Sequence, residues 1–369
     1  MDFELSDDQV ALRDAARDLL DAAASPERVR AHVDAGGGLS SALWEAMVDQ
    51  GWAGIAVPED LGGVGLGWVE VAVLAEQVGA HVAPAPFVQH AVALDALVGA
   101  VRRGIEGAAA VLEPLAAGTS IATVAWSAVD ARRRGDRWSL TGRTEPAVFA
   151  PVAGVAIVRG RDGDEGDGAG DLLFAVDLDE VGRPERQPAM DLTREVGWLS
   201  FDAAPAVLLG GGDAVQAHLD AGASALAAEL LGVGARSLDL AVDYAKEREQ
   251  FGRPIGSFQA VKHRCADMLV DVEGMRSVAY HAAWCHAAGD ADAAVAASTA
   301  KTWCSDAATR VTASALQVHG GIGFTWECDV HLFVKRAQLD RTSFGDAAYH
   351  RDRLGRLLRA KVAAGESVI

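Results

Sequence analysis

The feature that most constrains the fold of this chain is the series of long helical segments after residue 212. In the segment 224–250, Leu226, Leu230 and Val233 recur at helical spacing, and the pattern continues for many turns. Further long helical patterns cover 261–289, 292–321 and 346–364. Four long helices joined by short turns are typical of an antiparallel bundle, which we predict for residues 213–369.

Residues 118–212 follow a different pattern. Short apolar runs rich in β-branched residues are separated by turns, which predicts a small antiparallel β domain. The acidic, glycine-rich stretch 159–171, "RGRDGDEGDGAGD", is predicted to be an exposed and mobile tip between two strands.

Residues 1–117 are predicted to be helical. Ser6 precedes a run with acidic residues in its first turn and an apolar face, as expected at a helix N-terminus. The predicted fold class is therefore α+β, with an N-terminal helical domain (1–117), a middle antiparallel β domain (118–212) and a C-terminal four-helix bundle (213–369).

Composition narrows the function. A formal net charge of −19 argues against nucleic acid or an anionic membrane as the main partner. The first residues do not resemble a signal peptide, and charges interrupt the most apolar stretches, so we expect a soluble cytoplasmic protein without membrane insertion. His281, Cys285 and His286 share a helix face, but a packing role is favoured over metal binding, and no metal is predicted.

Two motifs identify a family. The stretch 248–268, "REQFGRPIGSFQAVKHRCADM", resembles one signature of the acyl-CoA dehydrogenase family, and 317–338, "QVHGGIGFTWECDVHLFVKRAQ", resembles a second. The loop 51–67, "GWAGIAVPEDLGGVGLG", is similar to the first-domain loop of that family. The resemblance spans nearly the whole chain and agrees with the predicted domain order.

The resemblance implies an FAD enzyme, usually a tetramer, that desaturates an acyl-CoA thioester between its α and β carbons. An arginine fork suits paired phosphate oxygens, an aromatic ring can pack on the cofactor, and paired glycines let the backbone approach it closely. In the family these groups reach FAD held mainly by a neighbouring subunit. The residues to which the resemblance assigns FAD binding are Arg248, Phe251, Gln259, Gln317, Gly320 and Gly321.

The catalytic base is where the resemblance fails. The two positions where the family places its glutamate correspond here to Phe344 and Gly222. Three alternatives remain open at this point. Asp346 acts as the base after a shift of the backbone, Glu229 replaces it, or the chain supports a catalytic partner that supplies the glutamate.

The flavin-ring contacts of the family are also missing. The family loop "TEPxAGSD" is replaced by "ATVAWSAVDARRRGD", and the "TEP" at 144–146 stands at a different point. Together with the lost glutamate, this resembles one chain of the actinobacterial heterotetramers that act on steroid-derived CoA thioesters. The resemblance further implies an electron-transfer flavoprotein as acceptor. A less favoured alternative is a flavin monooxygenase of similar fold, or a relative acting on carrier-protein thioesters.

Overall fold

The structure is a computed structural model, and it describes residues 4–162 and 170–367. The predicted tip 159–171 thus lies largely outside the described residues. Within them the chain forms twelve α-helices and seven β-strands. The helices are α1 (Asp7–Ala23), α2 (Pro26–Asp34), α3 (Ser41–Asp49), α4 (Trp68–Ala80), α5 (Phe87–Arg102), α6 (Ala108–Ala116), α7 (Leu178–Val181), α8 (Gly212–Glu247), α9 (Gln259–Ala288), α10 (Ala293–His319), α11 (Val330–Asp340) and α12 (Ala347–Ala364). The strands are β1 (Ala122–Arg134), β2 (Arg137–Val148), β3 (Val155–Asp162), β4 (Asp171–Asp177), β5 (Val196–Gly210), β6 (Glu249–Gln250) and β7 (Arg253–Pro254).

The start of α1 confirms the predicted helix N-terminus. The Ser6 hydroxyl accepts a hydrogen bond from the Gln9 backbone N–H at 3.2 Å, and the Gln9 side chain accepts one from the Ser6 N–H at 3.0 Å. This capping box satisfies two backbone donors that would otherwise lack partners. Asp7 and Asp8 in the first turn add favourable interactions with the helix dipole.

The middle of the chain forms a closed barrel in the strand order β1-β2-β5-β4-β3. Four neighbouring pairs are antiparallel, as predicted, and β1 pairs with β3 in parallel. A closed ring of five strands cannot alternate direction at every step, so one parallel pair is unavoidable. Leu140, Val158, Phe174 and Leu199 lie in the buried core of this barrel.

The last strand of the barrel differs from the sequence-based prediction. The apolar runs 196–204 and 206–210 suggest two strands separated at Pro205, whereas the structure has one strand, β5. Its first part pairs with β2 as far as Ala206, and its end pairs with β4 from Val207 onwards. The change of partner lets the strand continue, with Ala203 at a positive φ of 51° beside the irregular register.

The C-terminal region contains the predicted long helices. α10 packs against α9, α11 and α12, and most of its length is buried. The short helix α11 contains the second half of the second signature motif and precedes α12. Within the described residues, no helix is both long enough and apolar enough to cross a membrane.

By their internal packing, the described residues form two compact units. The first comprises Met1–Ala31, Ala72–Ala83 and Ala223–Ile369, and the second comprises His32–Val71 and Pro84–Gly222. The division into domains at residues 117 and 212 stays a prediction.

Candidate functional site

The first signature motif forms the connection between α8 and α9. Arg248 follows the last residue of α8, and the chain then makes a two-stranded hairpin of β6 and β7. Its two turn residues, Phe251 and Gly252, both have positive φ, of 56° and 74°, as a type I′ turn requires. Gln259 begins α9. The corner is therefore built by turn chemistry local to the motif.

Close packing at this corner requires Gly256. A Cβ at this position would lie 2.8 Å from the backbone oxygen of Ala245 in α8, closer than such contacts occur. The glycine thus lets the hairpin return onto the end of α8. This fixes the direction in which Arg248 leaves the helix.

The side chains of the corner point outward. Phe251 is 92% exposed, and Arg248 and Gln259 are exposed as well. Arg248 has no side-chain hydrogen bond or ion pair within residues 4–162 and 170–367. An unpaired guanidinium beside an exposed aromatic ring is a donor set suited to a phosphate-bearing ligand with a flat ring.

The second motif ends α10. Gln317 is exposed in its last turn, and Gly320 takes φ 64° and ψ −140°, a conformation that residues with a Cβ rarely adopt. A Cβ at Gly321 would meet no atom within 4 Å, so its backbone is open to a ligand. These features fit the close approach of ribose or phosphate to the main chain.

Ring stacking joins the two motifs. Tyr244, one helical turn before Arg248, stacks on His319 with ring centroids 4.5 Å apart and planes at 21°. In addition, Arg264 Nη1 lies 3.4 Å from Ser314 Oγ. The structure therefore places Arg248 and Gln317 near each other, where α8 and α10 end.

The same region exposes large apolar side chains. Phe324 is 73% exposed and Trp326 61%, and Ile322 is also exposed. Lys335 Nζ lies 4.2 Å from the centre of the Trp326 ring. Large apolar side chains exposed in one segment are typical of a surface that another molecule covers.

Neither of the two positions where the family places its base carries a carboxylate here. Hydrogen bonds hold the loop around Phe344, the first of these positions. Phe344 is 7% exposed with a positive φ of 55°, and its carbonyl oxygen accepts a hydrogen bond from His350 Nε2 at 2.8 Å. The buried Lys301 ammonium donates to the backbone oxygens of Asp340, Arg341 and Gly345 at 3.0–3.1 Å. Gly222 lies buried inside α8.

Asp346 serves as the N-cap of α12. Its carboxylate accepts the Tyr349 backbone N–H at 2.8 Å, and this hydrogen bond holds the pKa of Asp346 below its usual value. A general base works best with a pKa near the operating pH, so this environment supports capping more than proton abstraction. Its assignment as the base stays a prediction.

Glu229 is completely buried and paired. Its Oε1 accepts a hydrogen bond from Arg336 Nη1 at 2.7 Å, and both side chains have no exposed surface. Arg336 also donates hydrogen bonds to the backbone oxygens of Val82 and Ala83, which lie just after the end of α4. A carboxylate held in this way ties helices together and is not available to a substrate proton.

Sequence reasoning missed a role for Glu145. Its carboxylate accepts the backbone N–H groups of Trp126 at 2.5 Å and Ser127 at 2.8 Å, and the Ser127 hydroxyl also donates to it. These donors lie where β1 breaks its register with β3. The "TEP" segment is thus used inside the barrel, and no local signal in the sequence predicts that its partner lies 18 residues earlier.

His281 and Cys285, considered above as metal ligands, lie one turn apart with Nε2 and Sγ 3.5 Å from each other. Burial raises the pKa of the Cys285 thiol to about 11. No group of three or more histidine, cysteine or acidic side chains with metal-binding geometry occurs among the described residues.

Comparison with known proteins covers most of the chain. The family model "Acyl-CoA dehydrogenase, N-terminal domain" matches residues 6–124, and "Acyl-CoA dehydrogenase, C-terminal domain" matches residues 210–358. The chain is 33% identical to acyl-CoA dehydrogenase IpdE2 of Mycolicibacterium smegmatis over 90% of its own length and 93% of that protein.

Two solved structures are similar over nearly their whole length. A variant of the Tcur3481–Tcur3483 steroid ACAD is 32% identical with a TM-score of 0.88, covering 96% of this chain and 99% of that one. The ChsE4–ChsE5 complex from Mycobacterium tuberculosis is 29% identical with a TM-score of 0.88, covering 97% and 99%.

Proposed function

Since the chain belongs to the acyl-CoA dehydrogenase family, we propose that it is a subunit of an FAD-dependent acyl-CoA dehydrogenase that desaturates a thioester between its α and β carbons. In this proposal the chain completes the FAD site of a neighbouring, related chain. The neighbour supplies the carboxylate that removes the α proton.

This proposal depends on one observation: none of the four candidate base positions offers an available carboxylate with a suitable pKa. Phe344 is apolar and buried, and Gly222 has no side chain. Glu229 is held by Arg336, and Asp346 caps a helix with a lowered pKa. A base must reach a substrate proton and hold a suitable pKa, and none of these positions offers both.

The proposed FAD-binding residues lie at the exposed C-terminal ends of α8 and α10 and in the turns that follow. Arg248 would bind pyrophosphate oxygens, Phe251 would pack against the cofactor, and Gln259 and Gln317 would donate hydrogen bonds. The open backbone at Gly320 and Gly321 would approach the ADP portion. When bound, the flavin supplies the acceptor for the hydride that leaves the β carbon. The outward direction of these groups is what a site shared with another chain requires.

The substrate we propose is a bulky, steroid-derived acyl-CoA, and the acceptor an electron-transfer flavoprotein. The steroid assignment is supported by one similar structure, the Tcur3481–Tcur3483 steroid ACAD. The hetero-oligomer is supported in addition by the ChsE4–ChsE5 complex.

The first test is the absorption spectrum of the chain purified alone, before and after anaerobic addition of a steroid-derived acyl-CoA. We expect little or no oxidised-flavin absorbance, because the FAD residues of this chain make only one side of the site. Flavin bands that bleach when the acyl-CoA is added would contradict the partner-subunit proposal, since they require a complete site in this chain.

That outcome would favour the second candidate, a self-sufficient dehydrogenase with Asp346 as base. Asp346 is exposed and lies two positions from Phe344, which is why it remains a candidate. Replacing Asp346 by Asn would then abolish flavin bleaching while leaving flavin bound. If Asp346 only caps α12, Asn at this position preserves the cap. Turnover of the flavin-containing assembly with the variant should then stay within about twofold of turnover with the unchanged chain. The ratio of turnover rates decides between the two roles.

A further inference from the structure

A cavity of about 1140 Å³ lies inside the first compact unit, beneath α1. It is lined by α1, α2, α4, α8, α9 and α11, and no strand of the barrel contributes to it. None of the proposed FAD residues, nor Asp346, lines it. Cavities that bind organic ligands are typically about 300–1000 Å³, so this space is large enough for one.

One part of the lining is apolar. Val10 lines the cavity from α1, Val29 from α2, Leu240 from α8, and Leu332 and Phe333 from α11. These side chains would contact a hydrocarbon group and remove it from water.

Three of the acidic side chains of the lining have hydrogen-bonded or ion-paired partners. Glu76 accepts hydrogen bonds from Arg276 Nη1 at 2.7 Å and from the Tyr280 hydroxyl at 2.6 Å. Asp21 lies 3.0 Å from His81 Nε2, and Asp329 pairs with Arg30 at 2.6 Å. Burial raises the pKa of Asp239, and the nearby Arg236 opposes this shift.

Two guanidinium groups of the lining remain without such partners. Arg17 and Arg236 make no hydrogen bond and no ion pair within 4 Å to any residue of 4–162 or 170–367, although Arg236 interacts with Asp239 at longer range. Arg236 is half-buried on α8, and Arg17 is exposed on α1. Both line the same cavity. A guanidinium forms its strongest hydrogen bonds with an anion.

We propose that this cavity binds a small amphipathic carboxylate. The carboxylate would accept hydrogen bonds from Arg236 and Arg17, and the hydrocarbon part would contact the apolar lining. A single negative charge is favoured over a phosphate dianion, because Glu76 and Asp239 lie in the same lining and repel additional charge. The proposal is independent of the FAD-site assignment.

The test is isothermal titration calorimetry of the full chain with decanoate, and with decan-1-ol as the uncharged probe. We expect one decanoate per chain. Arg236→Gln and Arg17→Gln are each expected to weaken decanoate binding about tenfold or more, since hydrogen bonds to charged groups contribute on this scale. Binding of decan-1-ol should change little in the same variants. The matched control is Arg351→Gln, which removes an exposed ion pair between Arg351 on α12 and Asp306 on α10 and should bind decanoate normally.

A second variant locates the ligand. Val10→Trp fills the apolar part of the cavity from a half-buried position on α1, and it should abolish binding of both probes. Hydrogen exchange in Asp7–Ala23 should slow when decanoate binds to the unchanged chain. Circular dichroism of each variant establishes that it is folded. The proposal is wrong if the unchanged chain does not bind decanoate, if the Arg17 and Arg236 variants both retain full affinity, or if Val10→Trp still binds it.

Discussion

Replacing Glu229 by alanine is expected to lower the free energy of unfolding by about 3–5 kcal/mol. The change leaves Arg336 buried with no exposed surface and without its carboxylate partner. The guanidinium would keep its hydrogen bonds to the backbone oxygens of Val82 and Ala83, but those neutral acceptors cannot balance its charge. Breaking one side of a buried ion pair is costly because the remaining charge stays desolvated.

Urea unfolding followed by far-ultraviolet circular dichroism measures this effect. The matched control is Glu273→Ala, which removes an exposed carboxylate 3.6 Å from Arg276 and should cost less than about 1 kcal/mol. The double variant Glu229→Leu with Arg336→Met removes both charges and should recover most of the loss. A loss below about 1 kcal/mol for Glu229→Ala would show that water or a rearrangement compensates Arg336.

The stability of the fold is expected to decrease steeply as the pH falls from 6.5 to 4. Burial lowers the pKa of His90, His218 and His350 from 6.5 to about 4 in the folded chain. Between these values the unfolded chain binds more protons than the folded chain, so lowering the pH favours unfolding. Above pH 6.5 these histidines are neutral in both states and contribute no pH dependence. Each contributes a slope of up to about 1.4 kcal/mol per pH unit within the window.

The contribution of one histidine can be separated with His350→Asn. His350 donates from Nε2 to the Phe344 carbonyl, and the Asn amide offers a donor without titrating in this range. Compared with the unchanged chain, the variant should lose stability less steeply between pH 6 and 4.5, by up to about 1.4 kcal/mol per pH unit. Above pH 7 the difference in unfolding free energy between the two proteins should be constant. Parallel pH profiles throughout would mean that protonation of His350 is not coupled to unfolding.

Features encoded within a few residues were predictable. Helical spacing and the Ser6 cap gave the helices of the N-terminal and C-terminal regions, and β-branched runs gave the strands. The two signature motifs identified the family, which the family models and relatives confirm. The corner at Arg248 could also be expected, since Phe251, Gly252 and Gly256 set its geometry over a short stretch. The FAD roles themselves stay predictions.

Only the tertiary structure decided what the carboxylates do. From the sequence, Glu229 and Asp346 were both candidate bases. The structure pairs Glu229 with Arg336, 107 residues away, and uses Asp346 to cap α12. Likewise, the parallel pairing of β1 with β3 follows from closing the barrel, and the cavity beneath α1 depends on how six helices pack. Periodicity and turn chemistry act over a few residues, whereas burial, pKa and pairing depend on groups that only the folded chain brings together.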